Sequence, residues 1–353
     1  MSPLCSLGAA GLRVKPAMTK ASSHRARGAA LLTAMITVAL VATLAAAALW
    51  RQWRGVEVES AERSRVQSSW ILNGALDWGR LVLAGDARES SVDHLGEPWA
   101  VPLEEARLST FLAGGQASTD TEREAFLSGR VTDLQSRLNV MNLLLEPAPA
   151  NEEDDSLAAK RPIERLRKLF TLLGLPEQEL ESLQRNLANA ATAMQSTNPG
   201  ETGDAPLLPQ RFDQLLWLGL TPPTLEALRP YATLLPLVNK TVTRVNLNTA
   251  SAQTIYAAVP ELDLAGAERL VSERERAYFR SASTALQSVQ RNDSAPPTSD
   301  WVGVTSDFFE IRGRLRLDDL ALQETSVVQR ATAGQRRTVQ VLWRQRMALS
   351  TEE

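Results

Sequence analysis

The sequence contains almost no cysteine or histidine. Cys5, His24 and His94 are the only such residues among 353, and only His94 lies beyond residue 28. A disulfide needs two cysteines, and a zinc or copper centre built on thiolates or imidazoles needs several of these ligands. The region after residue 28 therefore has neither a disulfide nor a metal centre of this kind.

Recognisable catalytic motifs are also absent. There is no G-x-S-x-G segment that would place a serine nucleophile on a sharp turn, and no G-x-x-x-x-G-K-[ST] loop that would hold a phosphate. The 41 Asp and Glu residues show no spacing that forces two carboxylates together. The sequence predicts a protein that is not an enzyme.

An excess of basic residues is missing as well. Five of the 38 Lys and Arg residues lie in the first 28 positions, which leaves 33 bases against 41 acids and a net charge near −8. A nucleic-acid-binding protein usually carries a basic face, so this balance argues against such a partner. The apolar content of 44% is ordinary for a globular chain, and the length suffices for one or two hydrophobic cores.

What the sequence does contain is a long apolar run near its N-terminus. From Ala29 to Trp50 there are 22 residues without a charge, and about 20 apolar residues in a helix span the hydrocarbon core of a bilayer. The preceding residues include five bases and no acid, which places the N-terminus in the cytoplasm. The run is longer than the apolar part of a cleaved secretory signal. Two other interpretations remain, a plain membrane anchor and a helix that follows a cleaved leader.

The third interpretation depends on the junction Arg27-Gly28-Ala29, immediately before the apolar run. It resembles the class III signal of type IV pilins and pseudopilins, and the resemblance implies that a prepilin peptidase cleaves between Gly28 and Ala29. The resemblance also implies a Glu at the fifth mature position, which pairs with the terminal amine of the subunit assembled before it. Thr33 stands there instead. Because a buried unpaired ammonium is costly, an uncharged Thr33 indicates a subunit with none ahead of it, at the tip of a filament.

The helical pattern continues after the membrane run. Apolar or small residues recur at three- and four-residue steps, which is typical of an amphipathic helix: they are Val66, Trp70, Gly74, Trp78 and Leu81. We expect this stripe to pack against a sheet and the helix to end near Gly85.

The most informative segment of the soluble region is Ser128 to Leu145. It reads as a polar strand followed by turns rich in Asn, whose side chains bond the backbone. It resembles a motif of the K subunit of type II secretion systems, and the matching positions are Gly129, Asp133, Gln135, Arg137, Asn139 and Asn142. We interpret these residues as structural.

A helical region with an internal repeat follows a polar linker over 146–155. Segments 166–184, 212–230 and 252–271 share a plan of helix, tight turn and second helix, which is the helix–hairpin–helix or SAM-like pattern, and Asn246 and Asn248 introduce the last copy. DNA-binding proteins of this kind bind phosphate through the backbone amides of a glycine-flanked hairpin. The hairpin here, Pro260-Glu261-Leu262-Asp263, has two acids and no glycine. It disfavours the alternative of a DNA-binding or DNA-uptake membrane protein.

Strand patterns return near the C-terminus. Apolar residues at 309, 311, 315 and 317 alternate with charged ones, which predicts a half-buried strand over Ser306 to Leu317 with Gly313 as a candidate bulge. Two further runs flank Ala331 to Gln335 and predict a terminal hairpin, with Val339, Val341 and Trp343 on one face.

Together these motifs resemble the minor pseudopilins of the K type. The resemblance implies an α+β fold with a pilin-like long N-terminal helix packed on an antiparallel sheet, and a large all-α, SAM-like insertion. It implies a single-pass inner-membrane protein with a periplasmic bulk, at the pseudopilus tip, with minor pseudopilins of types I, J and H as partners and assembly and protein export as its role. A plain membrane-anchored periplasmic protein is the other alternative, and it predicts no cleavage after Gly28.

The expected organisation follows from these boundaries. A leader over 1–28, whose start is Met1 or Met18, precedes a transmembrane and amphipathic helix over 29–85. The first part of the α/β domain covers 86–148, the helical insertion 149–300 and the closing strands 301–353.

Calcium is the one ligand that the resemblance implies, through an acidic loop in the helical insertion. Ca²⁺ takes six to eight oxygen ligands, usually with several carboxylates. The corresponding loop over 196–204 offers only Glu201 and Asp204 as carboxylates. We therefore expect this calcium site to be degenerate.

Overall fold

A computed structural model describes seven stretches of the chain, residues 23–107, 125–145, 162–195, 205–289, 299–317, 320–333 and 336–349. Two compact units are found, residues 1–66 and 67–353. Residues 28 and below, and Glu201 and Asp204, carry no side-chain description, so the expected calcium loop lies outside the described residues.

The first element is one helix, α1, over Ser23–Glu89. It contains no proline, which would remove a backbone hydrogen bond, and so the chain continues helically past the apolar run. Among the described residues, α1 is the one helix that is long and apolar enough to cross a membrane. The helix ends four residues beyond the predicted Gly85.

The described residues contain nine strands, which are β1 Leu103–Arg107, β2 Ala125–Asp133, β3 Leu138–Asn139, β4 Ala232–Thr233, β5 Val245–Asn246, β6 Val302–Gly303, β7 Phe308–Leu317, β8 Leu320–Ala333 and β9 Arg336–Leu349. Five of them form an antiparallel sheet in the order β1-β2-β7-β8-β9. Strands β2 and β7 pair from Ala125 opposite Leu317 to Asp133 opposite Phe309. The helical region is therefore inserted between two neighbouring strands, and the predicted fold class is confirmed.

The face of α1 that packs on the sheet is not the predicted one. Leu72, Leu76 and Leu83 are fully buried against sheet residues, whereas Trp70 is 74% and Trp78 is 55% exposed. Both rows have helical spacing, but the buried row includes Gly79, whose missing Cβ would lie 3.0 Å from Cγ2 of Ile311. A small residue lets the helix approach the sheet closely, and the row with the two tryptophans stays outside.

Two details of the strands also differ from the prediction. Gly313 is not a bulge, because it pairs in register with Gly129 on one side and Glu324 on the other. Trp343 does not share a face with Val341, because a register shift between Val327 and Val328 places those two valines opposite Trp343 and Val341 respectively. One extra residue in a strand reverses the side on which the following side chains point.

The described part of the insertion contains six α-helices, which are α2 Pro162–Leu173, α3 Glu177–Gln195, α4 Pro222–Leu228, α5 Ala252–Ala258, α6 Leu264–Arg276 and α7 Ala282–Ser288. Helices α2 and α3 form the first predicted helix–turn–helix copy, and α5 and α6 form the third. In the second copy the first helix is a 3₁₀ helix over Phe212–Leu218, which Gly219 ends at a φ of 102°. Buried leucines such as Leu169, Leu180, Leu187 and Leu215 fill one core.

Candidate functional site

Four of the six predicted residues of the Ser128 to Leu145 motif, Asp133, Gln135, Asn139 and Asn142, lie in a buried polar junction that joins the sheet to the insertion. Asp133 ends β2, is 2% exposed, and accepts a hydrogen bond from the backbone N–H of Gln135 at 2.7 Å. Its other carboxylate oxygen accepts hydrogen bonds from Ser306 at 2.6 Å, Thr249 and Asn246. Burial raises the pKa of Asp133 to about 6, although the hydroxyl donors of Ser306 and Thr249 act in the opposite direction.

Three asparagines of the junction make the same pair of hydrogen bonds. Each side-chain amide bonds both the N–H and the C=O of a residue far away in the sequence: Asn139 binds Leu235, Asn142 binds Thr243 and Asn248 binds Phe279, at 2.8–3.0 Å. The side-chain amide thereby supplies the donor and the acceptor that a neighbouring strand would otherwise provide to a segment of irregular backbone.

Gln135 and Asn246 connect the remaining segments. Gln135 donates to the carbonyl of Arg244 and accepts from the N–H of Asp307. Asn246 is fully buried and donates to the carbonyl of Asp93 at 3.1 Å and to Ser306 at 3.0 Å. Both side chains thus hold chain segments from before, within and after the insertion.

The other two motif residues have different surroundings. Arg137 follows the short 3₁₀ helix over Leu134–Ser136, and burial lowers the pKa of its guanidinium. Gly129 lies in β2, where an added Cβ would come within 2.9 Å of the carbonyl oxygen of Arg312. A side chain at Gly129 would therefore separate β2 from β7.

Sequence reasoning missed a second buried group, centred on Arg330 of β8. Its guanidinium pairs with Asp86 at the end of α1 at 3.1 Å and with Asp93 at 2.7 Å, and it donates to the carbonyl of Ser306. The side chains of Arg330, Asp86 and Asp93 are 9%, 7% and 3% exposed. Strand alternation gave no signal here, because Val327 and Val328, which have opposite parity, are both buried.

The carboxylates around Arg330 are the described residues that could hold a cation. Single oxygens of Asp86, Asp93 and Glu97 lie within 4.8 Å of one another. Glu97 also accepts hydrogen bonds from Trp99 and from the backbone of His94. Burial, followed by the negative charges of Glu97 and Asp93, raises the pKa of Asp86 to about 7. Arg330 already supplies a positive charge in this group.

The predicted residues of the N-terminal region lie in α1. Gly28 and Ala29 are part of the helix, and the hydroxyl of Thr33 donates to the backbone carbonyls of Ala29 at 3.1 Å and Ala30 at 2.9 Å. The Thr33 side chain is therefore satisfied by its own helix.

The hairpin of the third helical copy is bound from within the protein. The ammonium of Lys168 in α2 donates to the carbonyls of Val259, Pro260 and Leu262 at 2.8–3.1 Å, and lies 3.9 Å from the centroid of the Tyr256 ring. The arrangement joins two copies of the helical repeat. It gives no phosphate-binding geometry.

Comparisons with known proteins agree with this architecture. Two family models match, both described as type II secretion system protein K, one over residues 136–237 and one over residues 245–305. The type II secretion system protein K of Pseudomonas aeruginosa is 27% identical over 88% of this chain and 91% of its own length, and that of Klebsiella pneumoniae is 27% identical over 87% and 94%.

One solved structure has a similar fold. A chain in the crystal structure of the GspK-GspI-GspJ complex from the type 2 secretion system of enterotoxigenic Escherichia coli matches with a TM-score of 0.52 and 16% identity, over 81% of this chain and 98% of that chain.

The long N-terminal helix, the antiparallel sheet and the helical insertion define a pilin-like α+β fold, and the apolar part of the helix is consistent with a transmembrane anchor. The residues matched by the family models include Asn139, Asn142, Asn246 and Asn248 of the junction, whereas Asp133, Gln135 and Ser306 lie just outside the matched ranges. This chain is therefore similar to type II secretion system protein K over most of its length.

Proposed function

We propose that this protein is the minor pseudopilin at the tip of a type II secretion pseudopilus. It is anchored in the inner membrane by the apolar half of α1, with residues after about 55 in the periplasm, after cleavage between Gly28 and Ala29 by prepilin peptidase. It assembles with minor pseudopilins of types I and J, with type H below, and initiates filament assembly for protein export. The role is structural.

The observation that carries the tip position is the chemistry of Thr33. The resemblance to pilin-like subunits implies that most of them present a Glu at this position to the terminal amine of the subunit ahead. The hydroxyl of Thr33 carries no charge and is already bonded to the carbonyls of Ala29 and Ala30. It offers nothing that neutralises an ammonium in the membrane, where an unpaired charge is costly. The chain therefore fits the one position that has no subunit ahead.

The amine of Ala29 itself still needs a counter-charge. In the proposed assembly the Glu of the next subunit, of the I type, supplies it, and the two membrane helices lie side by side. The buried polar junction contributes indirectly, since it fixes the insertion to the sheet. A wide insertion at the sheet is suited to the end of a filament, where no further subunit stacks.

The variant Thr33→Glu tests this proposal in cells that lack the natural gene. We expect secretion to be unchanged or mildly reduced, because the new carboxylate finds no amine ahead. Its cost should lie below the value of about 2.5–3.5 kcal/mol for a membrane-helix centre, since Thr33 lies near one end of the apolar run. The matched control is Thr37→Glu, since Thr37 also donates to its own helix, at 2.8 Å to Ala34. Improved secretion with Thr33→Glu alone, or recovery of the protein along the filament shaft, contradicts the tip position.

A further inference from the structure

The face of the five-stranded sheet that points away from α1 carries two arginines directly opposite each other. Gly313 of β7 faces α1, since a Cβ added there would lie 3.5 Å from Cδ2 of Leu72. Successive side chains of a strand point to opposite faces, so Arg312 lies on the outer face. Its direct partner on β2 is Arg130. Like charges that lie opposite each other on one face destabilise a sheet.

A third guanidinium, that of Arg137, acts in the same place. Burial is the main cause that lowers the pKa of Arg137; the positive charges of Arg312 and Arg130 lower it further, and Glu310 acts in the opposite direction. Glu310 is the acid that pairs with these arginines in the described part of the chain, at 2.7 Å from Arg312. We call Arg130, Arg137 and Arg312 the arginine cluster. Its three positive charges are set against one negative charge.

The arginine cluster lies where the sheet meets the insertion. Arg211, which precedes the 3₁₀ helix of the second helical copy, donates to the side chain of Gln345 in β9 at 3.2 Å. Gln345 lies in the same row of side chains across the sheet as Arg312. Arg130 is exposed, the side chain of Arg312 is 34% exposed, and Arg137 is half-buried. The cluster is therefore open to solvent in a corner that a further arginine borders.

This geometry favours a carboxylate on an extended chain as the ligand. The group that the cluster already binds is the carboxylate of Glu310, and a guanidinium matches a carboxylate with two parallel N–H donors. A flat bilayer surface does not enter a corner beside the insertion, whereas a single polypeptide segment does. An extended segment with acids at alternate positions presents them all on one side, as a strand does.

We propose that the arginine cluster is a docking site for an acidic, extended segment of another protein, whose carboxylates bind Arg130, Arg137 and Arg312. The bound carboxylates offset the repulsion between Arg130 and Arg312, which the free protein tolerates. This inference does not depend on the position of the protein in a filament.

The test uses the full-length tagged chain, purified in detergent and titrated with a fluorescein-labelled peptide of alternating Glu and Thr residues. Fluorescence anisotropy gives the Kd. We expect Arg130→Gln to bind about fivefold more weakly, the upper end for one partly exposed ion pair. The matched control is Arg269→Gln, which removes the same charge from an exposed position on α6 and should leave the Kd unchanged. A peptide with Gln in place of every Glu should not bind.

The denaturant midpoint gives a second readout. Without peptide, Arg130→Gln should unfold at the same or a higher denaturant concentration, because the variant removes a like-charge pair. Saturating peptide should raise the midpoint of the unaltered chain more than that of the variant at the same concentration.

Three results would overturn the docking site. They are equal Kd values for Arg130→Gln and Arg269→Gln, no binding of the Glu-Thr peptide by the unaltered chain, and displacement of the peptide by inorganic phosphate but not by chloride at the same ionic strength. The last result would assign the cluster to phosphate groups.

Discussion

Two acidic groups are buried in the same region, and they are neutralised in different ways. Asp133 is surrounded by neutral donors, the side chains of Ser306, Thr249 and Asn246. Asp86 and Asp93 face the guanidinium of Arg330, with the carboxylate of Glu97 beside them. The first group is a hydrogen-bond network, and the second contains three acids and one base.

The difference shows what each group contributes. Neutral donors satisfy a carboxylate without a second buried charge. The Asp133 network therefore holds its chain segments in place without depending on the charge of a partner. The Arg330 group depends on a balance of charges, and the removal of one partner leaves the others uncompensated. We expect the Arg330 group to be more sensitive to substitution and to pH.

The largest effect is expected for Arg330→Met. Loss of the guanidinium leaves Asp86 and Asp93 buried without a counter-charge, which costs about 3–5 kcal/mol. The measurement is the denaturant midpoint of the detergent-solubilised chain. The control is Arg316→Met, because the ion pair of Arg316 with Glu105 is 43% and 50% exposed and surface pairs contribute at most about 1 kcal/mol. Equal midpoints for the two variants would show that the Arg330 group carries no special stability.

An intermediate effect is expected for Asp133→Asn. The substitution keeps the shape but replaces one acceptor oxygen by an NH₂ group, so a donor among Ser306, Thr249 and Asn246 loses its partner. An unsatisfied buried polar group costs about 1–3 kcal/mol. The same unfolding measurement applies, with Asn142→Asp as a comparison that disturbs one residue, Thr243. A loss with Asp133→Asn as large as that with Arg330→Met would remove the distinction between the two groups.

Local sequence patterns predicted the secondary-structure elements correctly where the apolar residues follow a single period. The alternation from Phe309 to Leu317 gave β7, and the two flanking runs gave the β8–β9 hairpin. The asparagines of the motif were predicted to bond the backbone, and they do. Their hydrogen-bond partners could not be predicted from the sequence, because Asn139 and Leu235 are 96 residues apart and no local pattern specifies that pairing.

The errors have physical causes. Two apolar rows of α1 have the same helical period, and the close approach at Gly79 selects the leucine row over the tryptophans. The single inserted residue near Leu342 reverses Trp343. The Arg330 group escaped notice because its acids come from Asp86, Asp93 and Glu97, far from Arg330 in sequence and without a spacing motif.

The smallest change over a single pH unit is expected from titration of the Asp86 carboxyl. The pKa of Asp86 is about 7 in the folded protein against an ordinary 3.8, so between these values the folded state binds a proton that the unfolded state does not. The stability from this group is therefore fully present below pH 4 and is lost as the pH rises towards 7, with a slope of up to about 1.4 kcal/mol per pH unit. The groups that face Asp86 are Asp93, Glu97 and Arg330.

Asp86→Asn should remove this slope, because an amide does not titrate, while the hydrogen bond to Arg330 can be kept. The measurement is the denaturant midpoint at several pH values between 4 and 7.5, for the unaltered chain and for the variant. Asp133 titrates in the same direction at about pH 6, so both proteins keep its slope below that value. Between pH 6 and 7 only the unaltered chain should still lose stability as the pH rises. Parallel curves for the two proteins across that interval would show that Asp86 stays ionised. The ionised carboxylates of the Arg330 group would then be stabilised by the charge of Arg330, as the Asp133 carboxylate is stabilised by neutral donors.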